Sequence, residues 1–110
     1  MSTLNATIET AYNKATTCTI PESLRWLDLA MLAASRGGGE GIAIFLRCVL
    51  TKEISEELTQ ARDRCVLWLI KRHGRHFISA SLKVNKALKP ALNVYIQKLQ
   101  AKVRERERPK

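Results

Sequence analysis

Long hydrophobic runs are missing from this chain. The longest apolar stretches are broken by Asp28 and Arg47, well short of the 18 or more residues that a membrane-spanning helix needs. The opening residues, MSTLNATIET, lack the basic start and apolar core of a secretory leader. An intracellular, cytoplasmic location is therefore expected, with nuclear entry left open. Cysteine is scarce. Cys18, Cys48 and Cys65 are odd in number, far apart and set in apolar surroundings, which predicts buried reduced thiols rather than disulfides. Catalytic patterns are missing too. Ser79 and Ser81 lie near His76, but no nearby carboxylate could orient a base. No nucleotide fingerprint occurs. The chain is expected to be no enzyme and to carry no cofactor.

Acidic residues are scarce in one half only. Residues 1–60 hold 5 basic and 7 acidic side chains, whereas residues 61–110 hold 14 basic and 3 acidic ones. The halves thus carry −2 and +11, which sum to the formal net charge of +9. A solvated surface normally mixes signs, so the second half is built for an anionic target. Nucleic acid comes first and an anionic membrane surface second. Overall, 45% hydrophobic and 26% charged residues are globular values. A chain of 110 residues makes one domain able to bury a core.

Periodicity predicts an all-α fold, a small bundle of about five helices with a helical dimer interface. Residues 1–60 form its mainly apolar core and interface half, 61–106 its basic half, and 107–110 a frayed tail. Ser2 or Thr3 is expected to cap a first helix, with Leu4, Ile8, Ala11, Tyr12 and Ala15 on one face. Residues 16–19 read as a loop. Thr19 or Ile20 then caps a second helix with Pro21 in its first turn. That helix, 23 to about 35, is apolar nearly all round, which suits a central place or a contact with a second subunit. Gly37, Gly38 and Gly39 punctuate the chain. They lack P-loop spacing, a following Lys-Ser/Thr pair and a preceding strand, so a plain hinge between helices is expected. Residues 42–50 read as a short buried helix, and Thr51 or Ser55 as the cap of the next.

The basic half centres on residues 61–88, read as one helix with two faces. Val66, Ile70, Phe77, Ser81, Val84 and Leu88 stack along one side. Arg64, Lys71, Arg72, Arg75, His76, Ser79, Lys83 and Lys86 collect on the other. Arg64, Lys71, Arg72, Arg75, His76, Lys83 and Lys86 are the candidate nucleic-acid contacts. If the helix is continuous, Arg72 to Lys86 covers roughly 21 Å. Gly74 leaves open a break, but the pattern around it matches a helix-turn-helix poorly: Ile70 stands where a small residue belongs and Lys83 where an apolar one does. Pro90 ends this segment at Lys89 and starts a last helix. Leu88, Leu92, Tyr95 and Leu99 form a short seam there, better suited to its own domain than to a partner helix. His73 and His76, even with Cys65 and Cys48, match no zinc spacing, so no metal is expected.

Single-strand binders place aromatics among their cations for bases to stack on. The basic half has only Trp68, Phe77 and Tyr95, and Trp68 and Phe77 fit the apolar side. Phosphate contacts along a duplex, with little base reading, are therefore the first expectation, RNA slightly ahead of DNA and with a homodimer widening the footprint. The chain is similar in type to small, basic, helical viral nucleic-acid-binding proteins and mobile-element regulators, with no shared motif from which to carry sites over. The alternative is a helical adaptor or inhibitor that docks its apolar helices on a protein partner. Peripheral membrane binding through the basic amphipathic helix ranks third.

Overall fold

The computed structural model describes residues 3–107, with side chains for residues 6–105. The described chain is all-α. Six helices run in order: α1 Thr3–Thr17, α2 Glu22–Arg36, α3 Gly38–Thr51, α4 Glu56–Arg72, α5 Gly74–Lys83 and α6 Lys89–Glu107. A 3-10 turn, Lys86–Leu88, precedes α6. Ser2, the side chains of Thr3 and Leu4, and residues 108–110 lie outside the description; Thr3 is the first residue of α1, and Glu107, expected in the frayed tail, is the last of α6.

Helices α1, α2 and α3 pack on one another; α4 lies against α2 and α5 against α3. The core gathers Ile8 and Tyr12 from α1, Leu27, Ala30 and Ala34 from α2, and Ile42, Phe45 and Leu46 from α3. Tyr12 meets Phe45 edge to face, with ring centroids 5.7 Å apart. Such contacts hold α1, whose Thr- and Asn-rich sequence is a poor helix former on its own. Its last threonines stay helical: Thr16 and Thr17 each donate a side-chain hydrogen bond back to the Asn13 carbonyl. The connecting segment is therefore shorter than the sequence suggests. Within it the Ile20–Pro21 peptide is cis, and the buried Ser23 hydroxyl donates to the Cys18 carbonyl at 2.6 Å.

The hinge between α2 and α3 is a single residue. Gly37 ends α2, donating to the carbonyls of Ala33 and Ala34, and also precedes the first turn of α3. Gly38 has φ +59, the one left-handed residue among those described, so a side chain there would be strained. Gly41 faces α2 so closely that a β carbon would sit 2.5 Å from the Ala34 carbonyl oxygen. Residues 42–50 are indeed a buried helix, begun earlier than expected, inside the glycines. Ser55 is the cap that α4 uses; its side chain accepts from the Leu58 amide.

Residues 61–88 do not form one helix, and the described residues form six helices where about five were expected. His73 leaves helical geometry at φ −129, ψ 46. It serves both sides of the break: its amide closes α4 on the Leu69 carbonyl, and its carbonyl accepts from Phe77 to open α5. Its imidazole Nε2 lies 2.6 Å from Ser35 Oγ on α2. Gly74, a weak helix former, follows directly. The break lets α4 follow α2 while α5 turns to cover α3. A second break falls at Val84 and Asn85, both extended. There Asn85 Oδ1 accepts from the Ala87 amide, a local bond that competes with helix. Lys89 is helical despite the following proline, so the usual restriction before proline is overridden. The 88–99 seam packs inside the domain: Leu92 and Leu99 are buried and Leu88 and Tyr95 rest on the core. It is thereby removed as a dimer surface.

Two glycine substitutions should separate crowding from flexibility. Gly41→Ala pushes α2 and α3 apart and is expected to destabilise by about 1–3 kcal/mol. Gly74→Ala meets nothing within 4 Å and should be neutral or stabilising by about 0.4–1 kcal/mol. Urea denaturation of both variants checks the contrast.

Candidate nucleic-acid interface

The seven candidate contacts come from three elements. Arg64, Lys71 and Arg72 lie on α4, Arg75, His76 and Lys83 on α5, and Lys86 in the 3-10 turn. All seven are exposed, and none forms an ion pair among the described residues. They do not share one straight helical face, so the spacing of a continuous helix does not set their separations. Lys71 and Arg72 fall in the last turn of α4, where cations also suit the negative helix end. The Arg72 guanidinium lies 5.6 Å over the Trp68 ring. His76 sits beside the hinge, its Nδ1 3.6 Å from where a Gly38 β carbon would be. Ser79, expected on the cationic side, is half-buried against Gly39.

The aromatics of the basic half are engaged elsewhere. Phe77 is buried. Trp68 is half-buried, under Arg72 and edge-on to His73. Tyr95 belongs to a polar cluster that sequence reasoning missed. At its centre Asp63 is only 7% exposed. It accepts hydrogen bonds from the Tyr95 hydroxyl at 2.7 Å, from Arg62 at 3.1 and 3.3 Å and from Lys102 at 3.2 Å. Arg62 also stacks 5.1 Å over the Tyr95 ring. Burial disfavours the Arg62 charge, but Tyr95 and Asp63 outweigh it and hold the guanidinium protonated. The signal was present as an anomaly: Asp63 is the sole acid between residues 58 and 104. Its partners Tyr95 and Lys102 stand 32 and 39 residues away, too far for any local pattern.

No family model, curated protein or solved structure matches this chain. Its chemistry therefore rests on its own residues. His73 is engaged with Ser35, and Cys48 and Cys65 are buried. Among the described residues no cluster of three or more His, Cys, Asp or Glu is placed to hold a metal ion. Cys18 is half-exposed rather than buried as expected. No helix among the described residues is long and apolar enough to cross a membrane.

Burial, with Asp28 adding, pushes the Cys65 thiol up to about 12 from 9.0. Burial and the bond to Asp63 raise the Tyr95 phenol above its ordinary 10.0. In alkali the unfolded chain releases these protons while the folded chain keeps them, so stability falls as pH rises. Denaturant melts should show little loss below pH 9, then a decline approaching about 1.4 kcal/mol per pH unit for each such group. Asp63→Asn leaves Arg62 uncompensated and is expected to destabilise by about 2–3 kcal/mol. Hydrogen exchange should show α6 loosening first. Arg64→Ala should change stability by less than about 0.5 kcal/mol.

Proposed function

We propose that this protein grips the phosphate backbone of duplex RNA or DNA, RNA ahead of DNA, with little sequence specificity and as a homodimer. The contacts are Arg64, Lys71, Arg72, Arg75, His76, Lys83 and Lys86. No catalysis, cofactor or small-molecule substrate enters the reading. One observation carries it: these seven side chains are exposed without a carboxylate partner among the described residues. The cations that do meet acids, Arg47, Arg62 and Lys102, are different ones. Unneutralised cations concentrated on α4 and α5 attract a polyanion and release its counterions on binding. The engagement of Trp68, Phe77 and Tyr95 within the protein supports backbone contacts over base stacking.

A protein-binding adaptor is the second reading, favoured by Ile20, Leu29 and Leu32, which α2 and its approach leave exposed. Absence of any shift with duplex or single-stranded probes at low salt would select it.

Competition binding of double-stranded RNA, double-stranded DNA and single-stranded RNA at two salt concentrations tests the first reading. Affinity for duplex DNA should fall with salt by about 0.9 in log–log slope per phosphate contacted. Joint replacement of Arg72, Arg75 and Lys83 by Ala should weaken binding to all sequences alike and lower that slope by about 2–3. The far-UV helix signal should stay unchanged. Affinity indifferent to these replacements rejects the reading.

A further inference from the structure

We propose that α5 docks on an anionic lipid surface, with Ile78 and Leu82 entering beneath the headgroups and the neighbouring cations meeting the headgroup charges. Arg75, Ile78 and Leu82 stand three and four residues apart, so they form one stripe along the helix. Phe77 and Ala80, on the opposite side, are buried in the core, which puts the stripe on the outward edge of the domain. Ile78 and Leu82 are 67% and 71% exposed, the most exposed large apolar side chains among the described residues. Ile78 borders a cleft of about 420 Å³ between α5 and α6, floored by Ile70, Phe77, Leu92 and Ile96. Leu82 stands clear of that cleft, so the pair belongs to the outer face of α5 and not to the cleft.

The mixture of chemistries selects the partner. Arg75 lies within the stripe, and Lys83 and Lys86 follow it, all exposed and without an ion pair among the described residues. No acidic residue occurs from 64 to 104. A nucleic-acid backbone satisfies such cations but offers nothing to two protruding aliphatic side chains. An apolar protein groove satisfies the aliphatics and not the cations. An acidic amphipathic peptide carries both chemistries but docks in a concave groove, and this stripe is convex. A bilayer surface supplies both at graded depth, with anionic headgroups outside and hydrocarbon beneath. It is also fluid, so it accepts a protruding ridge without a preformed fit. Arginine and lysine suit that boundary, because their aliphatic stems lie along apolar surface while the charge stays outside. The docking needs the aliphatic pair, which duplex binding does not use, so it does not rest on the duplex reading. The cations are common to both, so lipid and duplex compete.

Flotation of the full chain with phosphatidylcholine vesicles, with and without about 30% phosphatidylserine, tests the proposal. The chain should float with the anionic vesicles and stay behind with the neutral ones. Ile78→Ala with Leu82→Ala should lower the partition constant by at least about 10-fold, while the affinity for duplex stays unchanged. Alanine is a strong helix former, so the far-UV helix signal should also persist. Arg75→Gln should weaken flotation by roughly fivefold. Leu29→Ala with Leu32→Ala, on α2, should leave it unchanged. Anionic flotation indifferent to the α5 pair is plain adhesion of a basic chain and overturns the proposal. Equal loss from the α2 pair, or equal flotation with neutral vesicles, overturns it as well. No flotation at low salt also overturns it and assigns the stripe to a protein partner. A chain that floats but shifts no duplex upholds the lipid docking and rejects the duplex reading.

Discussion

One buried carboxylate holds the basic half of this protein together. Helices α4 and α6 are both cationic, and alone they would repel. Asp63 stands where they meet and takes hydrogen bonds from Arg62 on its own helix and from Tyr95 and Lys102 on α6. Of these links, the bonds to Tyr95 and Arg62 matter most, because both are shielded from water; Lys102 is largely exposed and its pairing is correspondingly weak. With α6 so anchored, Leu92 and Leu99 can be buried. The α5–α6 cleft then has two walls.

A second constraint orients α5. The single-residue turn at Gly37 and the close approach of Gly41 to Ala34 set α3 tightly against α2. Helix α5 covers α3, with Ser79 lying against Gly39 and His76 beside Gly38. His73 reaches back to Ser35 on α2. The break at His73 is thus tied to tertiary contacts on both sides. Arg64, Lys71 and Arg72 are presented by one helix, and Arg75, His76 and Lys83 by another whose direction α3 controls. With Lys86 in the 3-10 turn, an extended polyanion would meet a surface built from three elements rather than a single rod.

The same division explains how a basic chain can leave apolar side chains exposed. On α5, Phe77 and Ala80 turn into the core, while Arg75, Ile78, Leu82 and Lys83 are exposed to solvent. Apolar side chains left that exposed beside a cleft, in a region otherwise rich in cations, are the mark of a contact surface.

Helical class and most element starts were legible in the residues, because they depend on local chemistry: Ser55 as a cap, the glycines as a hinge, the 3.6-residue stripe of α1. The exposure of the seven cations was legible for the same reason, since isolated charges rarely enter a core. The break beside Gly74 was left open and the one at Val84 was not legible, because helix propensity near Gly74 and Asn85 is nearly balanced and tertiary packing tips it. Nor was the role of Asp63, whose partners arrive from a distant helix. Sequence by itself determined that this protein is helical and that its second half is cationic, because both follow from residue type and short-range spacing. Only the tertiary structure decided which cations are neutralised within the fold and where an apolar cleft stays open, because both depend on which helices are brought side by side.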